Sequence, residues 1–403
     1  MDPAKYKAGV SPGQLVRTTF SSQRVVDGRL EEHHISGFAF VPDPLPNVGA
    51  LRDHVTGILG PLEGALTAIG RLDGFFHQHP GGFNVDPWVL FGPLRLREAR
   101  LSSRIENTVA SAREVAVAAH QNLGRSEPLE VRNYLVAMNI AASEGAPLSE
   151  AAIRELHRLL LEGVPGAAQK LPGEYRRSQV YIGDDRAGFE RARFVPPPAG
   201  EVGRLMRDLV LFLREPPGGM TSLLAIGLAH YQFETIHPFA DGNGRLGRML
   251  ITLGMCDHGL LSAPLVYPSG YIDANKQAYY DALLAVSTEG DWAGWLAYFL
   301  EAVRSQAEDT FGRMERLLEL RERYRERVSQ RPLSTKIDRV IDFLFESPAV
   351  TARSLHERVG GAKQTSRNYI EFLVEASILQ EVTGRKKGQV YVAPEILAVA
   401  DQD

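Results

Sequence analysis

The residues best equipped for chemistry lie in one run of twelve, His237-Pro238-Phe239-Ala240-Asp241-Gly242-Asn243-Gly244-Arg245-Leu246-Gly247-Arg248. His237 can take up a proton near neutral pH. Asp241 is a hard oxygen ligand suited to a phosphate-bound Mg2+. Gly242 and Gly244 let the backbone approach a ligand closely, and consecutive N–H groups at a helix N-terminus form an anion cradle. Arg245 and Arg248 are three apart on one helix face and can grip phosphate oxygens in bidentate fashion. Together these parts describe phosphoryl or nucleotidyl transfer from a Mg-nucleotide.

Helices must carry such a loop. Residues 221–234 are mostly apolar and predict a buried helix ending just before His237, and 245–257 predict a second apolar helix just after the Gly-Asn-Gly turn. Helical patterns also cover 94–119, 130–142, 149–162 with Ser149 as N-cap, 200–213, 275–287 and 292–307. Between them, 179–182 and 193–195 read as short extended runs around a Gly183-Asp184-Asp185 turn, closed by Pro196-Pro197-Pro198, which predicts a β-hairpin flap.

The twelve-residue run resembles the signature of the Fic (Fic/Doc) family, H-P-F-x-[DE]-G-N-G-R-x-x-R, at every fixed position. The flanks agree: Ala229-His230-Tyr231-Gln232-Phe233-Glu234-Thr235-Ile236 before it, Tyr279-Tyr280-Asp281 and Gly290-Asp291-Trp292 after it. The resemblance covers residues 30–308 and implies a protein adenylyltransferase (AMPylator), a nucleotidyltransferase moving AMP from Mg-ATP to a Ser, Thr or Tyr hydroxyl of a target protein, itself included. In that reading His237 is the base, Asp241 holds Mg2+, Gly242, Asn243 and Gly244 cradle phosphate oxygens, Arg245 holds the β-phosphate region and Arg248 the γ-phosphate, while Phe239 anchors the loop. Tyr280 and Leu283 fall where the family binds adenine, Gln232 is a further nucleotide contact, and Arg193 and Phe194 line a flap that docks the target by strand addition.

Upstream, Ser102-Ser103-Arg104-Ile105-Glu106-Asn107 resembles the family's inhibitory helix, [ST]-x-x-x-E-[GN], in its N-terminal, class II placement. The resemblance implies that Glu106 pairs with Arg248 and occupies the γ-phosphate site; Ser102, four residues earlier, shares its helix face. Two other readings stay open: a de-AMPylase in which Glu106 positions water, and a DNA-binding regulator whose Fic core senses a nucleotide.

The expected architecture is mainly α: an N-terminal helical region at 1–100, a Fic domain at 101–308 with the inhibitory helix near 100–115 and its core at about 150–300, a charged linker helix at 309–330 and a winged helix-turn-helix at 331–403. Residues 311–328 carry six Arg and four Glu, the composition of a solvated spacer. Residues 331–403 show three helical patterns and two β-type runs joined at Gly384-Arg385-Lys386-Lys387-Gly388, with ten Lys/Arg against ten Asp/Glu. Lys363, Arg367 and the 385–387 tip are placed for phosphate contacts, but Glu371 and Glu375 follow on the same helix, so DNA binding, protein docking and homodimerisation all remain open.

Composition excludes other classes. With 45 Lys/Arg, 49 Asp/Glu and 44% apolar residues across 403 positions, the chain is an ordinary globular one with a net charge of −4. The single cysteine, Cys256, allows no internal disulfide and reads as a core residue in a reducing compartment. No signal-peptide core or 18-residue apolar run occurs, so a cytoplasmic protein without membrane contact is expected. His77-Gln78-His79 reads as a solvated loop rather than a metal pair, and neither a P-loop nor a nucleophile elbow is present.

Overall fold

The computed structural model describes residues 1–26, 29–78, 90–121, 125–145, 148–183, 188–329 and 336–401. Asp184 and Asp185 of the expected flap turn, His79, and residues 331–335 at the start of the expected C-terminal domain lie outside the described residues. The chain is mainly helical and forms two compact units: Met1–Thr67, Ala137–Pro264 and Ala274–Arg304 make one, and Ala68–Val136, Leu265–Asp273 and Ser305–Asp403 the other. Two helices, α1 (Arg52–Gln78) and α4 (Glu127–Glu144), contribute to both, as does the long α11 (Trp292–Ser329). No helix of the described residues is long and apolar enough to cross a membrane.

The region expected to be helical at 1–100 does contain α1 and, from Phe91, a second helix, but it is not helical at its start. It opens with an antiparallel pair of 14-residue strands, β1 (Gly13–Val26) and β2 (Arg29–Pro42), in register from Gly13 opposite Pro42 to Val26 opposite Arg29. The alternation that marks a half-buried strand is weak here, because Thr, Ser, Gln and Arg fill both faces of β1. Its end near Pro42 is tied down by Phe40, fully buried, whose ring lies 5.4 Å from Tyr6 and 5.9 Å from Phe194.

The first unit is built around α7 (Ser222–Ile236) and α8 (Asn243–Asp257). Both are buried on nearly all sides; α7 is apolar almost throughout, whereas α8 also buries Asn243, Arg245 and Arg248. Thr221 caps α7 by accepting the Leu224 N–H at 3.4 Å. Outer helices show the one-sided pattern: α6 (Ala199–Arg214) buries Val202, Leu205, Met206, Leu209 and Leu213, and α5 (Glu150–Leu160) starts at Ser149, which accepts the Ala152 N–H. Helix α10 (Lys276–Glu289) and the first turns of α11 complete the unit. Trp295 of α11 donates its indole N–H to the Gly227 carbonyl of α7 at 2.9 Å.

In the second unit, α2 (Phe91–Ile105) stops at Glu106, and α3 (Ala112–Ala118) starts afresh from Ser111, which forms a capping box with Glu114. The single helix expected through residue 119 is therefore broken by a turn at Asn107, which adopts a left-handed φ of 64°. The remaining elements are α9 (Ser269–Ala274), α12 (Ile337–Glu346), β3 (Ala349–Val350), α13 (Ala352–Val359), α14 (Lys363–Glu375), β4 (Gln380–Glu381), β5 (Tyr391–Val392) and α15 (Pro394–Asp401), with strand order β3-β5-β4. The charged stretch is not a solvated spacer. It continues α11, and Met314, Leu317, Leu320, Tyr324 and Val328 are buried along one face. Arg321, with 0% exposure, pairs with Asp342 at 2.7 Å and Glu322 at 3.0 Å.

Gly227 sits where α7 meets α11: a Cβ there would lie 2.7 Å from Phe299 Cδ1 and 3.2 Å from Leu296 Cδ2. Gly227→Ala should therefore destabilise the protein by about 1–3 kcal/mol through overpacking, despite alanine's higher helix propensity. A urea midpoint unchanged or raised in the variant would refute this contact.

Candidate active site

Helix α7 ends because His237 turns left-handed (φ 50°), and α8 begins from Gly242 (φ 79°). Between them runs a tight loop, closed from inside. The Asn243 amide accepts the Phe239 N–H and donates to the Phe239 carbonyl, both at 2.9 Å. Asn243 is 2% exposed, so its side chain is committed to the loop. Any phosphate contact at this position comes from the backbone, where the first-turn N–H groups of α8 lack intrahelical acceptors. Phe239 is fully buried, as expected of an anchor.

Asp241 lies at the loop's outer edge. Its Oδ1 accepts the Gly242 N–H at 2.7 Å and stands 3.8 Å from Arg245, while Oδ2 accepts from Lys170 Nζ at 2.5 Å. Burial alone would raise this carboxyl's pKa; the Lys170 hydrogen bond, the Arg245 and Lys170 charges and the Gly242 N–H outweigh it and hold the pKa below the ordinary value. The carboxylate is therefore ionised at neutral pH. Arg245 and Arg248, 2% and 1% exposed, are guanidiniums embedded in the core beneath the loop. No cluster of three His, Cys, Asp or Glu suited to a metal occurs among the described residues. A single carboxylate already facing an ammonium cation still fits Mg2+ of the kind held by one or two carboxylates plus substrate phosphates.

Three supporting residues were not legible as site residues. Arg176, 3% exposed, directs its guanidinium at carbonyls: His237 at 2.8 Å, Ser178 at 3.1 Å, Pro197 at 2.5 Å and Ile236 at 3.3 Å. Its own N–H donates to the Pro238 carbonyl at 2.9 Å. Burial lowers its pKa to about 10, which leaves it charged at neutral pH. His157 of α5 stacks on Phe239 with ring centroids 3.8 Å apart. Its Nδ1 accepts the Gly173 N–H at 2.9 Å, and its Nε2 lies 3.0 Å from the Asp241 carbonyl. A carbonyl only accepts and an amide N–H only donates, so this imidazole is the neutral Nε2–H tautomer. Lys170 is the third. In one sequence a lone Arg, His or Lys in a loop carries no mark of what it will face.

On the far side of α7, His230 is 4% exposed and shows the opposite tautomer. Nδ1–H donates to the Gly247 carbonyl at 3.2 Å and Nε2 accepts from the Tyr279 hydroxyl at 2.8 Å. Burial, followed by the nearby Arg248 charge, lowers its pKa to about 3.

The remaining expected contacts are distributed unevenly. Arg193 reaches Asp281 at 2.5 Å and its Cζ lies 5.7 Å from the Tyr280 ring, so the flap segment and the expected adenine side of α10 meet. Leu283 is half-buried on the same helix. Phe194 does not line a groove: it is 8% exposed and packs on Phe40. Among the described residues the flap forms no strand; Ile182 and Phe194 make one antiparallel bridge, and the Val195 carbonyl accepts the Phe40 N–H at 2.9 Å. Residues 193–195 are thus paired on both sides, leaving 180–182 as the outer edge. Gln232 donates to the Asp43 carbonyl at 3.1 Å and lines a groove of about 330 Å³ with Leu209, Phe212 and Pro217. In the second unit Ser102 is fully buried, and Glu106 is exposed at the C-cap of α2.

Residues 147–254 match the Fic/DOC family and residues 59–143 match the Fic/DOC family N-terminal region. The chain is similar to the protein adenylyltransferase Fic of Drosophila ananassae, 34% identical over 140 residues, which is 34% of this chain and 24% of that protein. It is also similar to a probable protein adenylyltransferase of Aquifex aeolicus, 34% identical over 139 residues, 34% of this chain and 39% of that protein. The chain thus spans well under half the length of these relatives. A crystal structure of a Fic family protein from Desulfovibrio desulfuricans shares the fold, with a TM-score of 0.51 and 23% identity over 83% of this chain and 95% of that one.

His157 also makes stability depend on pH. Burial is the largest cause of its lowered pKa, about 4 against 6.5 in the unfolded chain. The unfolded chain protonates first as pH falls, so the stability is complete above pH 6.5 and is lost progressively toward pH 4, by about 3 kcal/mol in full. His157→Phe, which keeps a ring on Phe239 but cannot titrate, should show a shallower loss in urea unfolding between pH 7.5 and 4.5. Equal slopes in the two proteins would contradict this assignment.

Proposed function

We propose that the chain is a protein adenylyltransferase of the Fic/DOC family, which its residues 59–143 and 147–254 match, and that it transfers AMP from Mg-ATP to a hydroxyl side chain of a target protein. The observation that carries the reading is the clamped loop, which presents a His, an ionised carboxylate and a helix N-terminus with two buried guanidiniums within twelve residues. His237 removes the proton of the target hydroxyl. The hydroxyl oxygen bonds to the α-phosphorus, the bond from that phosphorus to the oxygen bridging to the β-phosphate breaks, and pyrophosphate leaves. Backbone N–H groups of Gly242, Asn243 and Gly244 hold phosphate oxygens, Arg245 the β-phosphate and Arg248 the γ-phosphate. Asp241 is the residue that would hold Mg2+, which when bound neutralises charge on the phosphates. Tyr280 and Leu283 take the adenine end. The target docks along 180–182, with Arg193 beside it.

Restraint belongs to Ser102 and Glu106. A carboxylate that pairs with Arg248 competes with the γ-phosphate for one guanidinium, and ATP then binds without reacting. The left-handed φ of Asn107 supports reading this segment as the inhibitory motif, because the motif's last position admits only Gly or Asn, the residues that tolerate that conformation.

A second reading concerns residues 331–403, which we read as a winged helix with α14 as its recognition helix. Lys363 and Arg367 stand exposed on α14, as do Arg385, Lys386 and Lys387 beyond β4, whereas Arg353 and Arg358 are paired with Glu357 and Glu346. Exposed cations grouped in this way favour a polyanion such as DNA.

Incubation with Mg2+ and α-labelled ATP tests the first reading. Label should be weak on wild type, strong on Glu106→Gly, and absent from Glu106→Gly combined with His237→Ala. Label removed by wild type but not by Glu106→Gly would favour the de-AMPylase instead, and label retained without His237 would exclude it as the base. For the second reading, a mobility-shift titration should show DNA binding that weakens with salt, with a log–log salt slope reduced by about one in Lys363→Ala or Arg385→Ala. No binding at low salt would leave 331–403 as a protein-docking unit.

A further inference from the structure

The ammonium of Lys170 occupies the oxygen of Asp241 that a divalent cation would need. Of the two carboxylate oxygens, Oδ1 is tied to the Gly242 backbone N–H at 2.7 Å and faces the buried Arg245. The Gly242 N–H is fixed in the backbone at the start of α8, and the Arg245 guanidinium is buried. Oδ2 is the accessible oxygen, and Lys170 Nζ sits on it at 2.5 Å. Both side chains are about one-third exposed, 36% for Lys170 and 37% for Asp241, so the pair opens to solvent and can exchange with ions.

This pairing is built in by the fold. Lys170 ends a short 3-10 turn, Ala167–Lys170, after which Leu171 takes a left-handed φ of 53° and Gly173 a φ of 78°. The Gly173 N–H is then held by His157 Nδ1, while Nε2–H of the same ring holds the Asp241 carbonyl. One imidazole therefore anchors the main chain of Asp241 and the main chain three residues beyond Lys170. A lysine delivered by such a bracket returns to the same oxygen whenever it is free to do so.

Resting on the Mg2+ role given to Asp241 above, we propose that Lys170 is a displaceable surrogate cation: it keeps the carboxylate charged and oriented, and must swing off Oδ2 for a divalent ion to bind. Two cations cannot share that lone-pair direction, since like charges at such separations repel strongly. Half-exposed ion pairs are weak and are paid for in side-chain entropy, which is what a displaceable partner requires. Lys170 then sets a threshold on metal loading and acts as a positioning residue rather than a catalytic one.

The test is a Mn2+ titration of the full chain in the presence of adenosine α,β-methylene triphosphate, with free Mn2+ read by electron paramagnetic resonance and corrected for Mn2+ held by nucleotide alone. Lys170→Met should tighten Mn2+ about fivefold, in keeping with an ion pair of this exposure. Lys170→Arg, which retains the cation, should stay within twofold of wild type. Lys170→Met combined with Asp241→Asn should show no tightening relative to Asp241→Asn. Unchanged affinity in Lys170→Met overturns the proposal, and so does tightening that persists without the Asp241 charge, which would be a general field effect. If Asp241→Asn by itself leaves Mn2+ binding intact, the metal role of Asp241 falls; if it weakens Mn2+ while Lys170→Met changes nothing, only the role of Lys170 falls.

Discussion

The guanidinium of Arg176 is a buried cation whose hydrogen bonds end on backbone carbonyls, and the candidate site depends on that choice of partner. A buried charge is costly unless its donors are met, and Arg176 meets them with the carbonyls of Ile236 and His237 at the end of α7, Pro197 after the flap and Ser178 before it. Each carbonyl belongs to a segment with its own reason to stray. The helix end leaves carbonyls without intrahelical donors, and His237 stands in a conformation that costs a non-glycine residue about 1 kcal/mol or more. Arg176 offsets both by supplying donors where the helix cannot. The flap and the left-handed His237 are thus set by one side chain, and neither has to be stable alone.

Around that hub, two neutral imidazoles work as brackets rather than as acids or bases. His157 presents N–H at Nε2 and His230 presents it at Nδ1, because each faces a backbone carbonyl on that side. Both are kept neutral mainly by burial. The histidines of this region thus differ in setting: His157 and His230 hold the backbone of the signature run at Asp241 and Gly247, whereas His237 is half-buried at the helix end. The charges are graded in the same way. Arg245 and Arg248 lie in the core beneath the loop, whereas Asp241 and its partner Lys170 are about one-third exposed at its rim. Buried guanidiniums held in place beneath a more exposed ion pair are the kind of preorganised charge that the proposed reaction would use.

Twelve consecutive residues by themselves pointed to the family and to a loop between two helices, because a helix end, a Gly-rich turn and a helix start are set largely by local geometry. Local rules also governed the N-cap at Ser149 and the buried helices on either side of the loop, but not the left-handed turn at Asn107, which breaks the helix expected through residue 119. The tertiary structure alone decided the rest. The long β1–β2 pair carried too little alternation to be read. The Arg- and Glu-rich stretch looked solvated until packing buried one face of α11 and matched Arg321 to Asp342, 21 residues away. Phe194 turned inward because Phe40, 154 positions earlier, was there to receive it. Arg176, His157 and Lys170 acquired their roles from partners 61, 84 and 71 residues distant. A motif is legible when its parts are neighbours in the chain. A supporting side chain is defined by what it meets across the fold, and that meeting is fixed by packing.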